Sequence, residues 1–280
     1  MLPFLIRELK VSELHDSLIV LYRSFNRKIP PDLKNQEKLL LSLINYSIAK
    51  FQVAEENGKI IGLGALFLFG DICSLGYMAV LPEVRRKGLG TSIFSKLVEI
   101  GRMKGCKTFM LYASESGAPI YHKFGFRSKY ATNLYSLPKR PSPLQETNIK
   151  VNCTNIFPYW AALIDRNAMG FDRSEFLQLK INHGSILITI DKEGFALLSG
   201  SRLGPVISKN IDTAVYLINE GIKLGASNII VPKHSHFPIK IFDFFNLTER
   251  DSESNIKMVY GKEVTQILNH LYALGTYAKG

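Results

Sequence analysis

The spacing of apolar residues changes several times along the first half of the chain, and each change marks an element. "FLIREL" (4–9) reads as a short strand, and from Val11 to about Phe25 apolar side chains return every three or four positions, which predicts a helix. A second helix is expected from Asp32 to about Tyr46, with the Asp32 carboxylate accepting from the free amides of its first turn. "FQVAEENGKIIGLGALFLF" (51–69) is two apolar runs joined by Asn57-Gly58, a pair that tolerates the left-handed conformations of a two-residue hairpin turn. Further strands are expected over Ile72–Val80 and in "KTFMLYA" (107–113). Between them Ile93, Phe94, Leu97 and Val98 repeat at helical spacing, with Ser95, Lys96, Glu99 and Arg102 on the other face and Gly105 as the terminator. "APIYHKFGF" (118–126) supplies a short helix and a closing turn.

The second half repeats this order in weaker form. "SILITIDKEGFALLSG" (185–200) is strand, turn, strand; "LGPVIS" (203–208) leads into an apolar helical run from Ala214 to Leu224; "LGASNIIV" (224–231) parallels "MKGCKTFML" (103–111). From Gly105 to Phe126 is 21 positions and from Gly225 to Leu247 is 22, so the pattern reads as a duplicated fold. Val264 to Leu274 also shows helical spacing and is expected to form a last helix packed on the second domain. Between the halves, "SLPKRPSPLQETN" (136–148) holds three of the twelve prolines and has no periodicity, which reads as a linker. The expected organisation is a first domain over 1–137, a linker over 138–148 and a second domain over 149–280.

With 280 residues, 46% of them hydrophobic, the chain can build real cores in both halves. The run Ile60 to Phe69 is closed off by Asp71, well short of the roughly 20 apolar residues that span a bilayer, so no membrane partner is expected. "MLPFLIRELK" has no basic leader and too short an apolar core for a signal peptide. Cys73, Cys106 and Cys153 lie far apart, odd in number and without a CxxC pair. That argues against a disulfide scaffold or a zinc site and for a reducing, cytoplasmic location. His234 and His236 have no third ligand in sequence reach, so no metal is expected.

The formal net charge is +11 and unevenly placed. Residues 1–139 carry 20 Lys and Arg against 11 Asp and Glu, while 140–280 carry 15 against 13. The first half is therefore the anion binder. No basic stripe interleaved with aromatics supports a nucleic-acid partner. The cations concentrate in "VLPEVRRKGLGTSI" (80–93), at a strand-to-helix junction, where helix amides and the macrodipole attract phosphate. Gly88 and Gly90 let the backbone approach a ligand, and Arg85, Arg86 and Lys87 can neutralise its charge. The string is neither a P-loop nor a Rossmann fingerprint.

Arg85-Arg86-Lys87-Gly88-Leu89-Gly90 resembles the R/Q-x-x-G-x-G/A signature of the GNAT superfamily of N-acetyltransferases, and the preceding "GYMAVLP" and following "GAPIYHKFGFR" fall in that superfamily's order. The resemblance spans about residues 4–137. It implies an α/β fold of two GNAT-like domains, each a mostly antiparallel twisted sheet flanked by helices. It implies acetyl-CoA as co-substrate, with the pyrophosphate on the amides of Arg86, Lys87, Gly88, Leu89, Gly90 and Thr91. The pantetheine arm is expected along Met78, Ala79 and Val80, where the strand splays from Phe109–Ala113. The acceptor is expected to be an amine, on a small molecule or a protein. The amide of Val80 or Met78 is the expected oxyanion donor, and Tyr121 the acid that protonates the leaving thiolate. The packing alternative makes Tyr121 a half-buried aromatic holding its helix on the sheet. Gly117 and Ala118 stand where many superfamily members place an asparagine.

Glu115 and Asp71 are the nearest acids by sequence that could serve as a base, both expected in solvated turns; ordered water is the other option. The second copy has only "SKNIDTA" (208–214) at the equivalent junction, without glycine, and Asp212 is expected to cap that helix and repel phosphate. The whole resembles tandem-domain acetyltransferases in which a GNAT domain is followed by a second, GNAT-like domain. Here the missing anion loop leads to the expectation that the second domain does not bind coenzyme A and instead walls the acceptor cleft or mediates a homodimer. In "GFDRSEFL" (170–177), Asp172 with Glu175 is a capping box, the alternative placing Asp172 and Arg173 in an acceptor pocket. Two functional classes fit: an acetyl-CoA-dependent N-acetyltransferase and a non-catalytic acetyl-CoA sensor.

Overall fold

A computed structural model describes residues 4–115, 117–144, 150–233, 240–250 and 254–276. The chain packs as two compact units, Met1–Leu111 and Tyr112–Ala278.

Unit 1 runs β1 (Leu5–Glu8), α1 (Leu14–Ser24), α2 (Lys34–Asn45), β2 (Ala49–Glu56), β3 (Lys59–Phe69), β4 (Ile72–Val80), α3 (Leu89–Met103) and the first half of β5 (Thr108–Ser114). The sheet order is β1-β2-β3-β4-β5, antiparallel except for β4 with β5. The β2–β3 turn is Asn57-Gly58, both left-handed at φ 52° and 75°, as the sequence predicts. Asp32 does accept from an amide at the α2 start, that of Lys34 at 2.8 Å. Residues 61–67 of β3 are all buried, so both faces of that strand are covered. On one face α3 lies unusually near, because a Cβ on Gly64 would come within 2.8 Å of Ile93 and Leu97 side chains. Gly105, at φ 82°, ends the α3 turn as expected.

Cys73 and Cys106 are joined by a disulfide, which overturns the expectation from cysteine usage. Their 33-residue separation is misleading. The parallel crossover β4–α3–β5 returns the chain to the start of β4, where Cys73 lies opposite Phe109, so Cys106 arrives beside it with Cα atoms 6.2 Å apart. Cys153 remains a free, exposed thiol.

Unit 2 takes the end of β5 and continues with α4 (Ala118–Lys123), β6 (Arg127–Ser136), β7 (Val151–Thr154), α5 (Tyr159–Met169), α6 (Ser174–Asn182), β8 (Ile186–Ile190), β9 (Gly194–Ser199) and β10 (Arg202–Ser208). There follow α7 (Ile211–Lys223), β11 (Asn228–Lys233), α8 (Lys240–Phe245), β12 (Thr248–Glu249), β13 (Asn255–Gly261) and β14 (Leu271–Ala273). Its sheet runs β13-β6-β11-β10-β9-β8-β7. A core of Ile188, Leu198, Val206, Leu217, Ile229 and Tyr272 packs under α7. The linker segment is anchored here too: Leu137 joins this core, and the Asn219 amide of α7 clasps the backbone of Ser142 from both sides.

The last segment is not a helix. Leu268–His270 make a single 3-10 turn and Leu271–Ala273 pair with β10. Its apolar residues are consecutive rather than on one stripe, and four in a row, Leu271 to Leu274, are buried, as a strand enclosed on both faces requires. Among the described residues no helix is long and apolar enough to cross a membrane, and no group of three or more His, Cys, Asp or Glu could hold a metal. His234 and His236 lie outside the described residues.

Candidate functional site

In unit 1 the parallel ladder between β4 and β5 runs only from Ile72–Thr108 to Leu75–Leu111 and then stops. At the same level the β3–β4 register slips between Leu63 and Ala65, and Tyr77 is forced to φ 55°. This bulge turns the last residues of β4 out of line. Beyond it, Leu81 donates its amide to Ile61 on β3. Strand alternation then directs the backbone groups of Val80 and Met78 away from β3, towards the side that β5 has left.

The 81–91 loop follows at once. Pro82–Val84 form a 3-10 turn, with Val84 buried, and Glu83 pairs with Arg23 at 2.9 Å. Arg85 is occupied structurally: its Nε donates to Val80 O at 3.0 Å and its Nη2 to Ser24 O at the end of α1. Arg86 sits at φ 65°, and Arg86, Lys87, Gly88 and Thr91 are exposed, while Gly90 is half-buried and Leu89 buried. Gly88 precedes α3 at φ 80°, with open space where a Cβ would be. The first helical bond of α3 is Ser92 N–H to Gly88 O, so the amides before it point out of the helix end. No side chain caps that end. Two cations, six consecutive backbone positions and a 15-residue helix without a side-chain cap thus meet just past the end of β4. That arrangement fits a phosphate with an extended polar arm behind it.

Tyr121 lies on α4 in unit 2, half-buried, its ring 6.2 Å from that of Phe126. Burial pushes its phenol up to about 12, so it holds its proton at neutral pH. Gly117 donates to Ser114 O and Oγ at the α4 start. Glu115 is exposed in a turn. Asp71 is exposed in the β3–β4 turn, at the opposite end of β4 from Val80.

Unit 2 repeats the β3–β4–α3–β5 arrangement in β9–β10–α7–β11, and the differences are informative. β10 pairs β11 in parallel only at Arg202 and Leu203, and its register against β9 slips between Leu203 and Val206, as β4 does. The gap that opens is filled by the chain itself. β14 pairs Val206 and Ile207 on one side, and Leu274 bridges Ile230 of β11 on the other. Gly204 is needed there because a Cβ would fall 2.1 Å from Leu274 O. The helix end is closed as well, though not by Asp212 as expected. Asn210 is the cap, accepting from Thr213 N–H at 2.9 Å, and Asp212 sits two positions further along, in the first turn. Lys209 is paired with Glu193.

Sequence reasoning missed a buried polar cluster in unit 2. Arg173 and Asp165 form a bidentate pair at 2.9 Å with both side chains almost wholly enclosed. Asp172 beside them accepts from Ser174 N–H, which holds its carboxyl below the usual range, but the N-cap of α6 is Arg173 and the expected Asp172–Glu175 capping box is not formed. Lys257 on β13 is 2% exposed, donating to Gln266 Oε1 at 2.7 Å over the Tyr130 ring. Burial, then the charges of Arg173 and Lys129, bring its amine down to about 7. Burial likewise raises the hydroxyls of Tyr112, to about 12, and of Tyr130. Only an unusual apolar strand carrying one Lys, "NIKMVY" (255–260), hinted at this in the sequence.

Comparison with known proteins agrees with this geometry. Two models described as acetyltransferase (GNAT) domain match, over residues 47–128 and 161–273. The chain is 26% identical over 264 residues to an uncharacterized N-acetyltransferase, YitH, of Bacillus subtilis, spanning 89% of this chain and 90% of that one. A crystal structure from Pyrococcus horikoshii, assigned as an acetyltransferase, superposes with a TM-score of 0.91 at 27% identity, covering 100% of this chain and 97% of the other. A tandem GNAT protein from the clavulanic acid biosynthesis pathway shares the fold at a TM-score of 0.64 and 12% identity, over 92% and 98% of the two chains. The chain belongs to the GNAT acetyltransferases, as an acyltransferase carrying two domains of that family in tandem.

Proposed function

We propose that this protein transfers the acetyl group of acetyl-CoA to an amine acceptor by direct attack, using one coenzyme site per chain, in the first domain (1–137). The observation that carries this reading is the contrast between the two copies. In unit 1 the strands part beside an uncapped, glycine-led helix. In unit 2 the equivalent gap holds β14 and the equivalent helix end is capped by Asn210.

In this reading the amides from Arg86 to Thr91 hold the pyrophosphate, Arg86 and Lys87 offset its charge, and Arg85 braces the loop. The backbone of Met78, Ala79 and Val80 pairs with the pantetheine arm, and the amide of Val80 or Met78 faces the thioester oxygen as negative charge builds there. Tyr121 donates its proton to the departing thiolate, a role compatible with a phenol that stays protonated at neutral pH. Neither Glu115 nor Asp71 is assigned as base. The test is calorimetric titration with acetyl-CoA followed by thiol release on a panel of small-molecule and peptide amines. Coenzyme binding without release on any amine would remove the transfer reaction and leave binding alone.

A further inference from the structure

The Cys73–Cys106 disulfide lies in the same crossover as the 81–91 loop, at its other end. Cys73 is the second residue of β4 and Cys106 precedes β5, whereas the loop follows Val80. The bond closes a stretch that contains the rest of β4, the glycine turn and all of α3. Cys73 is fully buried and Cys106 is 7% exposed. The last turn of α3 covers them: a methyl on Gly101 would lie 3.4 Å from Cys73 Sγ, and Cys106 donates its amide to Gly101 O. A reductant therefore reaches the Cys73 sulfur only when at least the last turn of α3 opens.

We propose that Cys73–Cys106 is a thiol–disulfide exchange site whose accessibility is governed by coenzyme occupancy of unit 1, an inference that rests on the coenzyme reading above. The first turn of α3 is the phosphate-holding element in that reading, so a unit whose α3 has left the sheet no longer binds coenzyme. Direct shielding is excluded by distance, since the seven residue steps from Cys73 to Val80 span about 23 Å. The reactant class is a dithiol. One thiolate attacks Cys106 Sγ, the S–S bond breaks, and Cys73 leaves with the electron pair and takes a proton. The second thiol then attacks the mixed disulfide, frees Cys106 as a thiol, and leaves the reagent as a cyclic disulfide. Two electrons pass from reagent to protein.

The full-length protein, purified without reductant and unfolded in guanidinium, should show one reactive thiol per chain, Cys153; three would overturn the proposal. Dithiothreitol reduction of the native protein should slow about 100-fold with acetyl-CoA at a hundred times its Kd, because the open population falls by that factor. Equal rates with and without coenzyme would mean that only the last turn of α3 opens, and would overturn the gating. Absence of binding heat would overturn the coenzyme reading and the gating together while leaving the thiol count at one.

Discussion

Tyr121 separates packing from chemistry at the scale of one residue. Tyr121→Phe keeps the ring against Phe126 and removes only the hydroxyl. Loss of a positioned acid slows a reaction by about 10² to 10⁴, and a thiolate leaves readily, so kcat should fall by about 10² with acetyl-CoA affinity unchanged. An earlier melt at full turnover would make the residue packing alone. Lys257 makes a prediction about pH. Its folded amine titrates near 7 against 10.5 when unfolded, so the unfolded chain binds the extra proton between those values. Stability from this group therefore rises with pH from about 7 towards 10 and is lost as pH falls back to 7. The raised phenols of Tyr112 and Tyr130 reverse the trend only above 10, where the unfolded chain sheds their protons. Urea unfolding at pH 7, 8 and 9 should show this slope in the wild type and a flatter one in Lys257→Met; equal slopes would mean that Lys257 is charged throughout. Residue-level reading of the sequence placed Asp172 at the start of α6 because turn and cap signals are local, though it put the cap one residue early. It missed Arg173–Asp165 and Lys257, whose partners lie on different elements, and it placed the α7 cap at Asp212, two positions past Asn210, which is also a capping type.

Among elements, the strands, the hairpin and α3 were readable because each carries its own period and its own terminator. The final segment was misread for a physical reason: a short apolar run enclosed on both faces has no alternation to distinguish it from a buried helix. The parting of β4 from β5 rests on where a ladder stops and on a bulge at Tyr77, and the sequence shows neither directly. The loop between them carries a sharp prediction. Gly88→Glu places a side chain at φ 80°, costing about 1–2 kcal/mol of strain, and sets a carboxylate at the proposed phosphate position. Acetyl-CoA affinity should fall on the order of 10²-fold, about 3 kcal/mol, with the melting temperature lowered by only a few degrees. Unchanged affinity in the folded variant would move the coenzyme elsewhere.

At the scale of the whole molecule, the repeat of strand, bulge, strand and helix in both halves shows duplication, and the second copy has been closed from within. A strand of its own chain fills the gap beside β10, which the sequence concealed because pairing of Ile207 with Leu271, 64 positions on, leaves no periodic trace. The proposed reading therefore gives the two halves different ligand capacity, and one measurement tests that difference directly. Calorimetric titration of the full chain with acetyl-CoA should saturate at one equivalent, and the single binding event should vanish in Gly88→Glu. No binding, or two equivalents, or one that survives Gly88→Glu intact, would contradict the account.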